Sequence, residues 1–145
     1  DNGNITLISR IIREKYPDYE SIIPLDNDKI AIINKNNLYS AVKRVSIFSN
    51  RTTKQITLTF ENNKVIVNTE DSENITSGHE EINCEYKEEP LKIGFNANYL
   101  REILNHQSSE NIYIKLKSSL GAGMIIPKEE KSSKEILSLL MPIRI

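Results

Sequence analysis

INKNNL (Ile33–Leu38) and FNANYL (Phe95–Leu100) are two copies of one pattern, Ile/Phe-Asn-Lys/Ala-Asn-Asn/Tyr-Leu, set 62 residues apart. Each copy follows a short apolar run, KIAII at 29–33 or LKIGF at 91–95, and each opens a stretch with helical spacing. In NNLYSAVKRVSIFSN (36–50), Leu38, Ala41, Val42, Val45 and Ser49 share one face. In NANYLREILNHQ (96–107), Leu100, Ile103, Leu104 and Gln107 do the same. Asparagines stand before both, where an amide oxygen can accept the free N–H groups of a first helical turn. Alternating apolar and polar runs follow each helix: 55–60, 64–68 and about 77–86 in the first copy, 111–116, 123–126 and about 135–141 in the second. Asn62 and Asn63 join the first two runs, and because Asn tolerates positive φ they predict a hairpin over 55–68. The repeated unit is therefore β-α-β-β-β, and the fold class is α+β with two helices packed on antiparallel sheet. Six matching positions are few, so the shared order of strands and helices carries the inference. Two helices cannot cover both faces of one eight-stranded sheet, which leaves a face or an edge for a partner. A further alternating run, NITLISRII with Ile5 and Leu7, predicts a strand already under way at the amino end and hence a piece of a longer protein.

The chain has 145 residues, 38% of them hydrophobic, enough for one or two small cores. Nineteen Lys and Arg against twenty Asp and Glu leave a net charge of −1, which argues against holding nucleic acid or anionic membrane by bulk charge alone. The charge is unevenly spread. Residues 34–54 carry Lys35, Lys43, Arg44, Arg51 and Lys54 with no acid, whereas 61–90 hold nine acids and two lysines. A lone cysteine, Cys84, cannot close an internal disulfide, and no stretch nears the roughly 20 apolar residues of a membrane span. The expectation is a soluble, cytoplasmic protein with no membrane partner.

Catalytic and metal chemistry find no support in the residues. His79 and His106 lie 27 apart without a ligand motif, and one cysteine cannot build a zinc site. SLGAGM, with Gly121 and Gly123, precedes the apolar run MIIP and not a helix, so it reads as a hairpin turn and not as a phosphate cradle. The carboxylates of EDSEN and HEEINCEYKEE sit in exposed, charge-rich sequence, and Cys84 alternates with Ile82 and Tyr86 as a half-buried structural thiol. No cofactor, metal or catalytic residue is expected. Two apolar features are harder to place in a core: Ile47, nearly opposite the buried helix face with Phe48 at its flank, and the terminal ILSLLMPIRI.

KYPDYESIIP (Lys15–Pro24), LKIGFNANYLREIL (Leu91–Leu104) and LLMPIRI (Leu139–Ile145) resemble the bacterial DNA polymerase III beta subunit, the replicative sliding clamp, in order and over nearly the whole chain. The resemblance implies a DNA clamp fold, with 1–21 as the end of a second clamp domain and 22–145 as the third, C-terminal one. It implies a non-catalytic processivity factor, part of a homodimeric ring whose helices face duplex DNA through sequence-independent contacts, here Lys43, Arg44 and Arg101. The subunit interface would use Ile47 and Phe48 with the acidic residues Glu73, Glu80 and Glu81. Linear peptides of the polymerase catalytic subunit, the clamp loader and repair proteins would occupy a groove. Its residues here would be Pro17, Ser21, Ile22, Thr53, Asn96, Tyr99, Leu120, Ala122, Leu139, Leu140, Met141, Pro142, Ile143 and Arg144. Ser21 and Thr53 depart from the family, whose better-known members carry arginine and phenylalanine there. The alternative is a stand-alone protein interaction module that never meets DNA.

Overall fold

The computed structural model describes residues 3, 5–16, 18–129 and 136–145. Its elements run β1 (Lys29–Asn34), α1 (Lys35–Val45), β2 (Gln55–Glu61), β3 (Lys64–Asp71), β4 (Thr76–Asn83), β5 (Leu91–Asn96), α2 (Ala97–His106), β6 (Asn111–Leu116), β7 (Gly123–Pro127) and β8 (Ser138–Leu140). Short 3-10 turns stand at Glu20–Ile22 and Ser46–Phe48. The order is the predicted unit twice over. The repeated asparagines cap the helices: Asn34 Oδ1 accepts from the Asn37 N–H at 3.1 Å, and Asn96 Oδ1 accepts from Asn98 and Tyr99 at 2.9 and 3.3 Å. Such a cap contributes about 1 kcal/mol to its helix. Asn62 and Asn63 both take positive φ, 47° and 59°, in the tight turn between β2 and β3.

The strands do not form one eight-stranded sheet. They form two antiparallel sheets of four, ordered β1-β6-β7-β8 and β4-β3-β2-β5. The first strand of each repeat leaves its own unit. β1 pairs with β6, placing Ile33 opposite Ile112, and β5 pairs with β2, placing Phe95 opposite Ile56. A helix separates each of these strands from the next, so no hairpin ties it to its own repeat, and its backbone groups pair with whichever antiparallel strand completes the layer.

Two isolated bridges join the sheets. Glu85, just past β4, pairs with Ile32 of β1, and Ile143, just past β8, pairs with Gly94 of β5. Ile32 and Gly94 are 62 residues apart, the offset of the sequence repeat. The predicted strand over 77–86 thus ends at Asn83; Glu85 serves the seam instead, and the Tyr86 N–H donates to Asn63 Oδ1 of the β2–β3 turn at 3.1 Å. The run near 135–141 forms a strand only over Ser138–Leu140, and Glu135 lies outside the described residues.

The core fills the space between helices and sheets. Leu38, Ala41, Val42 and Val45 of α1 and Leu100 and Leu104 of α2 are buried with Ile56, Leu58, Phe60, Val65, Val67, Ile93, Phe95, Ile112, Ile114 and Leu116. Each large apolar side chain removed from water contributes about 1.5 to 3 kcal/mol. The strand expected around Ile5 and Leu7 is not formed: the described residues of 5–16 have no regular structure and Ile5, Leu7, Ile8, Ile11 and Ile12 are exposed. An alternating run makes a strand only where a neighbour takes its N–H and C=O groups, and no described strand lies beside this one.

Candidate functional site

The carboxyl end of the chain is brought onto the start of α2 by the seam at Gly94. The Ile143 N–H donates to the Gly94 carbonyl at 2.8 Å, and the absence of a side chain at Gly94 makes the approach possible. A Cβ there would stand 2.6 Å from Ile145 Cγ2 and 2.7 Å from the Ile143 carbonyl oxygen. The result is a groove of about 580 Å³ between α2 and the segment 139–143, lined by Asn96, Tyr99, Glu102, Ile103, Leu139, Leu140, Met141, Pro142 and Ile143. Leu140 is buried, whereas Tyr99 and Met141 are 61% and 64% exposed, so two large side chains stand on its rim.

Seven of the residues expected in a groove therefore meet: Asn96, Tyr99, Leu139, Leu140, Met141, Pro142 and Ile143. Glu102 and Ile103 were not foreseen there. The signal was present, because Tyr99, Glu102 and Ile103 follow the i, i+3, i+4 spacing of one helix face. Thr53 instead lines a separate polar cavity of about 260 Å³ with Asn50, Gln55, Thr57, Asn68, Thr69, Glu70 and Lys92, and touches the groove only through its carbonyl, which accepts from Asn96 Nδ2 at 3.0 Å. Leu120 is exposed on the β6–β7 loop, and the Ala122 carbonyl accepts from Asn27 Nδ2 at 3.0 Å. Ser21 Oγ, in the first 3-10 turn, donates to the Asp18 carbonyl just before it, Ile22 and Arg144 are exposed, and Pro17 lies outside the described residues.

The charged faces are more self-occupied than their sequence implies. Arg44 reaches from α1 to β4 and donates through Nε and Nη2 to the Glu80 carboxylate. These hydrogen bonds raise the arginine's pKa and lower the glutamate's. One residue expected at DNA and one expected at a subunit interface thus hold each other. The Arg101 guanidinium lies 5.6 Å over the Tyr39 ring and lowers the phenol's pKa, and its Nε is buried without an acceptor among the described residues. Lys43 is exposed and makes no ion pair among the described residues. Glu81 pairs with Lys64 at 3.0 Å, which holds its carboxyl below the usual range, and Glu73 accepts from Asn50 Nδ2. Ile47, 74% exposed, and Phe48 sit in the 3-10 turn after α1. Phe48 is seated against Gly78 of β4, the edge strand of its sheet, and its carbonyl accepts from the Thr76 hydroxyl at 3.0 Å.

Cys84 is half-buried and burial pushes its thiol up to about 11, so little thiolate exists at neutral pH. No cluster of His, Cys, Asp or Glu among the described residues is arranged to hold a metal ion. Among them, no helix is long and apolar enough to cross a membrane.

Comparison with known proteins decides the family. The model of the DNA polymerase III beta subunit, C-terminal domain, matches residues 20–144. This chain belongs to the DNA polymerase III beta subunit family. The beta sliding clamp of Pseudomonas aeruginosa is 29% identical over 145 residues, covering 99% of this chain, and that of Pseudomonas putida is 27% identical over 143 residues. The chain spans 38% of the length of both of these curated relatives. Among solved structures, a sliding clamp from Bartonella birtlesii bound to griselimycin superposes with a TM-score of 0.84 at 32% identity, covering 92% of this chain and 35% of that one. A clamp from Pseudomonas aeruginosa reaches 0.87 at 27% identity, covering 94% and 36%. Two helices and two antiparallel four-stranded sheets are thus the clamp fold, with its internal duplication visible in this one domain.

Proposed function

We propose that this chain is the third domain of a sliding clamp subunit, from about residue 22, with 1–21 ending a second domain. Its role is that of a non-catalytic processivity factor in the cytoplasm. The observation that carries the reading is the groove at α2, where Asn96, Tyr99 and Leu139–Ile143 converge from distant parts of the sequence onto an apolar floor. An open apolar groove with two exposed rim side chains suits a short linear peptide, the means by which a polymerase, a clamp loader or repair proteins would be tethered. Titration of this chain with a labelled clamp-binding peptide, followed by fluorescence anisotropy, tests it. Met141→Asp should weaken binding at least about tenfold, by placing a charge against the occupant, with an unchanged circular dichroism melt. Equal affinities in the two proteins would sink the assignment.

In the ring, the exposed sides of α1 and α2 would face the duplex, with Lys43 as the freest contact. Ile47, Phe48 and the β4 edge would meet a second subunit, giving a homodimer. A second reading, an interaction module that never meets DNA, draws on the engagement of Arg44 by Glu80 and of Arg101 by Tyr39. Retention of a whole subunit on circular DNA, with release when the circle is cut, supports the ring and excludes the module.

A further inference from the structure

Among the described residues that line the groove, Glu102 alone carries a charged side chain. Its carboxylate has no hydrogen bond or ion pair among them. Among the described residues, the neighbouring cations do not reach it. Arg101, adjacent in sequence, is committed to the Tyr39 ring on α1. His106, one turn further along α2, donates its ring N–H to the Glu102 backbone carbonyl at 2.8 Å and leaves the carboxylate alone. Arg144 is exposed and lies outside the groove lining. An unneutralised carboxylate at the border of an apolar cleft sets up a field that an incoming peptide meets as its apolar residues dock.

We propose that Glu102 is a specificity residue of this groove, selecting peptides that carry a lysine or arginine beside their apolar anchors and disfavouring those with an acid there. The inference rests on the peptide-binding reading above and goes beyond it by naming the chemistry of the occupant. Leu139, Leu140 and Ile143 hold the anchors and Glu102 reads the flanking charge. Because the carboxylate is exposed, its preference is modest and salt-dependent.

Three short labelled peptides sharing two adjacent leucines, flanked by Lys, Gln or Glu, are titrated against this chain at low and at half-molar salt. The Lys peptide should bind about fivefold more tightly than the Gln peptide at low salt, and the Glu peptide more weakly than either. The spread should collapse at high salt, and Glu102→Lys should reverse the order. Equal affinities of the three peptides at low salt, or an order that Glu102→Lys leaves intact, would overturn the proposal while the groove reading stands. Absence of binding by all three, or binding that Met141→Asp does not weaken, would overturn the groove reading and this inference with it.

Discussion

Asp71 shows how one side chain at the end of a strand can hold a surface in place. It is buried, and it accepts from the Asn74 side chain at 2.7 Å, from the Glu73 N–H at 3.1 Å and from Asn50 Nδ2 at 3.5 Å. These donors, Asn74 first, lower its pKa against the opposing effect of burial. Asn50 in turn accepts from the Thr52 and Thr53 N–H groups, so Asp71 ties the β3–β4 turn to the loop that follows the Ile47–Phe48 turn. An acid whose folded pKa lies below its unfolded value of about 3.9 adds stability that is complete above that value and lost as pH falls through the folded one. Glu80, lowered by Arg44, acts with the same sign. Thermal melts should therefore show the domain losing stability between pH 5 and lower pH. Asp71→Asn should melt lower than the parent at pH 7, and the gap between them should narrow at pH 3. A gap that stays constant across that range would show that Asp71 is not stabilised as its charged form.

At the scale of elements, Gly94 decides whether the groove exists. The groove wall is the segment 139–143, from the end of β8 onward, and among the described residues its backbone tether outside its own sheet is the Ile143–Gly94 bridge. Gly94→Ala puts a methyl within 2.7 Å of a backbone oxygen, a contact that requires the segment to move and not merely a side chain to turn. The expected result is a loss of peptide affinity of at least about tenfold with a small shift in melting temperature, because the buried core of α1, α2 and the sheets is untouched. Retained affinity would mean that the wall relaxes without losing its shape. This element also marks the reach of sequence reading. The capping asparagines Asn34 and Asn96 and the Asn62–Asn63 turn were legible because each acts within three residues of itself. The groove residues came from resemblance to a family, since Leu139–Ile143 is 43 residues from Asn96 at its nearer end and no local periodicity joins them. Glu102 and Ile103 were missed although their helical spacing from Tyr99 pointed to the same face. Ile5 and Leu7 misled, because alternation states which face would be buried and not whether a partner strand is present.

For the whole molecule the decisive fact is the exchange of first strands between repeats, which the 62-residue spacing could not reveal. Spacing reports that two units are alike; pairing depends on which strands meet. With β1 in the sheet of β6, β7 and β8, and β5 in that of β4, β3 and β2, neither repeat contains a complete four-stranded layer. A chain ending at Glu89 would keep β2, β3 and β4 but lack the β5 that covers Ile56 and Leu58, and its β1 would have no ladder. The remainder from Pro90 would hold β6, β7 and β8 beside an orphaned β5. Each half would thus expose a sheet edge along its apolar positions and lose the contact between α1 and α2. The prediction is that neither half, purified alone, melts cooperatively, whereas the intact chain shows a single transition by both far-ultraviolet dichroism and tyrosine fluorescence. Mixing the halves in equal amounts should restore that transition, since every native pairing between them is intermolecular in the mixture but otherwise unchanged. A cooperative melt of either half by itself would show that its three remaining strands and one helix suffice, and that the exchange does not bind the repeats into one folding unit.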